Sequence, residues 1–204
     1  MLEGKSLACV RGERTLFSRL DFALGEGELL LVQGANGSGK TSLLRMVCGL
    51  LAPEFGEISW HGEAIASCRE RYHADMVYFG HAPAVKEDLS AFENLDLACR
   101  LAGFPAGRDD VKGALGYLGL GHCLDLPARS LSQGQRRRVA LARLLLTRAR
   151  LWILDEPLTA LDQAALHLVQ SLLGEHLAKG GMVMLTTHQP VAVAGVVPKT
   201  LQLS

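Results

Sequence analysis

An α/β fold, with a mainly parallel sheet and an inserted helical lobe, is what this sequence predicts on three observations. Short apolar segments bounded by glycine and charged residues recur along the chain, several with helix-spaced patterns between them. One of them, LLLVQ, runs directly into a glycine loop and then into the helix-like SLLRMVCGL. From Ala91 to Leu146 the spacing turns helical, with breaks at Gly103, Gly107, Gly113, Gly116, Gly119 and Gly121, and no strand is expected there.

Taken in order, the predicted strands are Ser6 to Val10, Glu28 to Gln33, Glu57 to Trp60, Met76 to Phe79, Leu151 to Leu154 and Met182 to Thr186. Strands alternating with helices favour a parallel sheet covered by those helices. The core is expected over residues 1–82 and 148–204, with the helical lobe inserted over about 83–147. A chain of 204 residues, 49% of them hydrophobic, can bury a sizeable core and fits one domain, 1–204, with two intimate lobes. There is no internal repeat, and the chain ends soon after its last predicted strand.

Charge and cysteine usage narrow the function classes. Twenty-one Lys and Arg balance 21 Asp and Glu, so no global field draws the chain to nucleic acid or to an anionic membrane surface, and no nucleic-acid partner is expected. The five cysteines never form a CxxC pair, which argues against a disulfide framework, a zinc site or covalent haem attachment. They read as small buried hydrophobes in a reducing compartment. No stretch reaches the roughly 18 apolar residues of a membrane span, and MLEGKSLACVRGER lacks a signal-peptide core, so the chain reads as cytosolic.

The strongest chemistry lies in Gly34-Ala35-Asn36-Gly37-Ser38-Gly39-Lys40-Thr41, followed by Ser42: a GxxxxGK[ST] loop between a strand and a helix, the mark of a P-loop NTPase core. Its glycines permit positive φ and let consecutive N–H groups approach an anion, while the helix N-terminus adds a favourable dipole. Lys40 is placed to reach the β and γ phosphates and Thr41 to ligate Mg²⁺. The cofactors expected are therefore a nucleoside triphosphate and Mg²⁺.

A second element supplies the carboxylates. LWILDEP is a buried strand ending in Asp155 and Glu156, and in open α/β sheets ligands gather at the carboxyl ends of strands. Asp155 is the expected Mg²⁺ partner, usually through water, and Glu156 is placed to orient and deprotonate the attacking water. Further along, Ser132 reads as the N-cap of a helix opening at Gln133, with Gly134 removing bulk and Gln135 following. Its free N–H groups and dipole make a second anion site, worth about 0.3 to 1 kcal/mol and so able to complete a triphosphate site but not to create one. The economical geometry has each chain's Ser132–Gln135 turn cap the γ phosphate held by another chain's Gly34–Thr41 loop, in a two-fold dimer.

These motifs carry a resemblance. LSQGQ is similar to the signature sequence of ABC-type ATPases, and the Gly34–Thr41 loop, LWILDEP, Leu158-Thr159-Ala160-Leu161-Asp162 and Thr187-His188 resemble the accompanying elements in the expected order. The likeness spans essentially the whole chain. It implies a P-loop NTPase core of ABC-ATPase type, α/β, with a mainly parallel sheet, N-terminal antiparallel β elements and an inserted helical lobe. It also implies that the triphosphate is ATP, that Asp162 contacts the opposite subunit, and that His188 holds the γ phosphate and the water.

Two positions depart from the family pattern. His81, in MVYFGH, stands where the family usually has a glutamine, as a nucleotide and metal neighbour; a protonated imidazole there weakens a metal contact. Arg11 stands where an adenine-stacking aromatic is usual; a guanidinium stacks on a base with fewer discriminating contacts.

The stretches RGERTLF, YFGHAPAVKEDLSAFENL and GGMVMLTTHQP resemble the ATP-binding subunits of bacterial cytochrome c maturation systems, of haem-exporter type. That implies an ATPase on the cytoplasmic face of the inner membrane, peripheral, paired with a second copy and an integral membrane permease, with Ala82 to Leu95 docking the membrane subunit. Another small-substrate ABC transporter is the alternative left open. Trp60, Trp152 and the leucine-rich helices read as core, and the Arg136-Arg137-Arg138 run as a solvated or interlobe ion-pair surface.

Overall fold

The computed structural model describes residues 1–203. Two sheets and a helical lobe make up the molecule. The first sheet is antiparallel: β1 (Leu2–Arg11) pairs with β2 (Arg14–Leu24) and with β4 (Phe55–Trp60), and the short β5 (Glu63–Ala64) extends it, in the order β2-β1-β4-β5. The second is parallel. It comprises β6 (Met76–Phe79), β7 (Leu151–Asp155), β8 (Met182–Thr186), β3 (Leu29–Gln33) and β9 (Lys199–Gln202), in that spatial order.

Strand alternation explains how the parallel sheet holds two cores at once. Leu30 and Val32 of β3, Leu151 and Ile153 of β7, and Met182 and Met184 of β8 face one core. That core also takes in α1 (Lys40–Val47), Tyr72 of α2 (Arg69–Ala74) and the inner face of the antiparallel sheet. Leu29, Trp152, Leu154, Val183 and Leu185 point the other way, toward α6 (Gln163–Ala178) and the helical lobe. All six predicted strands are present within a few residues of the expected bounds.

The lobe consists of α3 (Ala91–Leu101), α4 (Arg108–Tyr117) and α5 (Gln133–Leu146), with single 3₁₀ turns at Gly121–Cys123 and Ala128–Ser130. A capping box starts α3: the Ser90 hydroxyl accepts from the Glu93 N–H, and Glu93 accepts from the Ser90 N–H. Buried Asn94 stitches the approach to it, donating to the carbonyls of Lys86, Leu89 and Ser90 and accepting from the Lys86 N–H.

Three strands escape the sequence reading; β5, of two residues, has no pattern to read. β2 carries a left-handed residue, Arg19 at φ 53, and its pairing with β1 shifts register three times, so its apolar residues do not alternate cleanly. β9 is a four-residue edge strand, KTLQ, with one apolar side chain. The last strand is therefore β9 rather than β8. The five cysteines are all buried and unbridged, as composition suggested. No helix among the described residues is long and apolar enough to cross a membrane.

Candidate nucleotide site

At the carboxyl ends of β3 and β7 the chain opens a cleft of about 570 Å³. It is lined by Asn36, Gly37, Gly39, Lys40, Thr41 and Ser42 from the glycine loop, by Asp155, Glu156 and Thr159 beyond β7, and by Leu16, His81 and His188. All of these except Leu16 and Thr159 are among the site residues expected from the sequence.

Local backbone chemistry shapes the loop. Gly39 is the N-cap of α1 at φ 100, and a Cβ there would lie 3.1 Å from the Phe17 ring, so both conformation and space call for glycine. Lys40 folds over the loop, its Nζ donating to the carbonyls of Gly34 at 2.7 Å and Ala35 at 3.1 Å. Ser38 is buried, and its Oγ has no hydrogen-bond partner among the described residues.

Asp155, only 2% exposed, is held from two sides: the Thr41 hydroxyl donates to its Oδ2 at 2.8 Å and the Thr186 hydroxyl to its Oδ1 at 2.7 Å. The pair of oxygens offered by Thr41 and Asp155 fits Mg²⁺, a hard cation that takes few protein ligands and keeps waters and phosphate oxygens. No cluster of three or more His, Cys, Asp or Glu able to hold a metal occurs among the described residues.

Glu156 sits at φ 52, a left-handed conformation costly for a residue with a Cβ. Its N–H donates to the Thr186 hydroxyl at 2.9 Å, and its Oε1 lies 3.4 Å from His188 Nε2. Carboxylate and imidazole thus share one wall of the cleft, within reach of a single water.

Other predicted residues stand apart. Arg11 is exposed at the β1–β2 turn and does not line the cleft, where Leu16 stands instead. Ser132, Gln133, Gly134 and Gln135 also lie outside it. Ser132 is the N-cap expected: its hydroxyl accepts from the Gln135 N–H, and the Gln135 side chain accepts from the Ser132 N–H. Asp162 is exposed and caps α6, accepting from the Ala165 N–H at 2.8 Å.

The arginine run departs from expectation. Arg136 does pair with Glu87 at 3.0 Å, and Arg138 donates to the Leu118 carbonyl. Arg137, however, is neither solvated nor in an ion pair: it is 3% exposed and bonds only to backbone carbonyls. Burial lowers its pKa from the ordinary arginine value, with the charges of Glu156 and Asp155 acting in opposition. Three consecutive arginines point in three directions on a helix, and the middle one points in, which composition alone does not reveal.

A glycine loop and an acidic strand end meeting in one cleft, beside an inserted lobe that presents a capped helix start, define an ATP-binding cassette. The comparisons agree. Residues 17–159 match the family "ABC transporter". The cytochrome c biogenesis ATP-binding export protein CcmA of Nitrosomonas europaea is 54% identical over 204 residues, covering 100% of this chain and 96% of that one. Its counterpart in Pseudomonas aeruginosa is 49% identical over 193 residues, covering 95% of each. Among solved structures, an ABC transporter ATP-binding protein from Pyrococcus furiosus superposes with a TM-score of 0.84 at 27% identity, covering 99% of this chain and 96% of that one. A dimeric ATP-binding cassette in a post-hydrolysis state, bound to ADP and Pi, shares the fold at a TM-score of 0.77 and 22% identity, covering 93% of this chain and 88% of that one. The chain belongs to the ABC transporter family, in its branch of cytochrome c biogenesis ATP-binding export proteins.

Proposed function

We propose that this chain is the ATP-binding and ATP-hydrolysing subunit of an export complex in cytochrome c biogenesis, driving haem export or the release of a haem-loaded chaperone. The single observation that carries the chemistry is the convergence of Lys40, Thr41, Asp155, Glu156 and His188 on one cleft. Lys40 and the loop N–H groups hold the β and γ phosphates. Thr41, and Asp155 through water, would hold Mg²⁺, which would supply charge neutralisation at those phosphates. Glu156 accepts the proton of the attacking water, and His188 orients that water and the γ phosphate. His81 takes part through water, since an imidazole nitrogen is a poor direct ligand for Mg²⁺.

Two copies close on two nucleotides in this reading. The Ser132–Gln135 turn lies outside its own chain's cleft, on an exposed helix start whose dipole suits an anion, which supports its covering the phosphates held by a partner. The exposed Asp162 takes its place at the dimer face. Shifting an open pair from 1:99 to 99:1 closed takes about 5.5 kcal/mol of differential affinity, and hydrolysis removes the phosphate that provides it. The segment from Ala82 to Leu95 docks an integral membrane subunit at the cytoplasmic face of the inner membrane. It borders an apolar groove of about 260 Å³ between α3 and α5, which supports that role.

The test is complementation of a strain lacking the gene, read as covalent haem in c-type cytochromes on a gel. Lys40→Ala and Glu156→Gln are expected to fail where the wild-type chain succeeds. Full restoration by Glu156→Gln would remove ATP hydrolysis from the function.

A further inference from the structure

Arg137 reaches from the second turn of α5 into the space behind the catalytic cleft. Its Nη2 donates to the carbonyl of Glu156, its Nε to that of Pro157 at 3.2 Å and its Nη1 to that of His81 at 3.1 Å. Its guanidinium lies 5.2 Å from the centre of the Phe79 ring, in cation–π range. One side chain of the signature helix therefore ties together the exits of β6 and β7.

The bond to Glu156 falls on the residue with the unusual backbone. Glu156 is left-handed, and its two peptide groups are fixed from opposite sides: the N–H by Thr186, the carbonyl by Arg137. Those anchors offset the conformational cost and aim the carboxylate at His188. Three residues before Arg137, a Cβ on Gly134 would lie 2.6 Å from the Ala160 carbonyl, so the start of α5 also presses on the turn that follows Glu156.

We infer that Arg137 is a positioning residue for hydrolysis: by gripping the Glu156 and His81 carbonyls it makes the aim of the catalytic carboxylate depend on where the signature helix sits. When a partner's phosphate engages that helix start, the helix carries Arg137 with it, and Glu156 in the same chain is held or released accordingly. The inference deepens the proposed function and rests on Glu156 acting as the base.

Arg137→Lys and Arg137→Gln test it: glutamine has only two N–H donors, and a lysine ammonium lacks the planar fork that spreads three nitrogens over three carbonyls. The purified variants are assayed for MgATP turnover and for affinity toward a fluorescent ATP analogue, in the wild-type chain and with Glu156→Gln. Both are expected to lower kcat about tenfold or more while analogue affinity stays within about twofold, because Lys40, Thr41 and Asp155 are untouched. In the Glu156→Gln background the same changes are expected to cost nothing further, because Arg137 acts through that carboxylate. Unchanged kcat in both variants, an equal loss in the Glu156→Gln background, or loss of analogue binding would overturn the inference, the last assigning Arg137 to the fold as a whole. Normal turnover by Glu156→Gln alone would instead overturn the proposed function, so the two failures are distinguishable.

Discussion

The Thr41 hydroxyl donates to Asp155 Oδ2 across a span of 114 residues, joining the first turn of α1 to the end of β7 at 2.8 Å. The same carboxylate receives the Thr186 hydroxyl from β8. Phosphate loop, acidic strand and the strand leading to His188 are thus locked in one small hydrogen-bond network.

Thr186 is the most buried member of that network, at 0% exposure, and serves both Asp155 and the Glu156 N–H. Thr186→Val keeps the shape and removes the hydroxyl. Urea unfolding is expected to show a loss on the order of 1–3 kcal/mol, the cost of leaving buried polar groups unpaired, together with slower turnover. A valine variant of full stability and rate would mean the hydroxyl holds nothing.

Glu156→Gln keeps the side-chain volume and removes the base. Turnover is expected to fall about 10²- to 10⁴-fold while ATP still binds, since the phosphates are held by the loop. Steady-state phosphate release and equilibrium binding of a fluorescent ATP analogue check the two halves separately.

Gly134→Ala inserts a methyl against the Ala160 carbonyl, where a Cβ would sit at 2.6 Å. The start of α5 must then lift from the turn after Glu156. A drop in kcat without a change in analogue affinity is expected, measured on the same purified protein. Asp at this position would add charge to the same clash, so alanine is the cleaner probe of packing.

His176 stacks on Trp152, ring centres 3.7 Å apart, and burial pushes its pKa down to about 4 from the ordinary 6.5. Backbone hydrogen bonds to Arg150 and Met182 oppose the shift, and Lys179 reinforces it. A folded-state pKa below the unfolded one means that the unfolded chain binds a proton first as pH falls. This histidine's contribution is therefore complete above about pH 6.5 and is lost on descending toward pH 4, by on the order of 2 kcal/mol once its partial exposure is discounted. Urea titrations at pH 7.5 and 5 are expected to show a smaller difference in His176→Phe than in the wild-type chain.

Much of this architecture was legible in the sequence because each central strand alternates between two cores. Leu151 and Ile153 face one, Trp152 and Leu154 the other, so LWIL reads as a continuous apolar run. The cleft residues were legible because a phosphate loop needs glycines, a lysine and a hydroxyl at fixed spacing. β2 was not, because its bulges break alternation, and β9 was not, because an edge strand of four residues need not be apolar. Arg137 was hidden by its neighbours: which of three adjacent arginines turns inward depends on where the helix packs. Leu16 and Thr159 reach the cleft only through folding of the chain around it.

The claim on which the account turns is that one catalytic centre needs two chains. Mixing tests it: Lys40→Ala copies and Ser132→Asp copies, the latter keeping an N-cap while setting a negative charge against the partner's phosphate, are each expected to be inactive alone. A mixed pair contains one intact centre, with Lys40 from one chain and the helix start from the other, so turnover should reappear on mixing and fade on dilution. A mixture as inactive as its parts, alongside wild-type turnover per chain that ignores dilution, would contradict it.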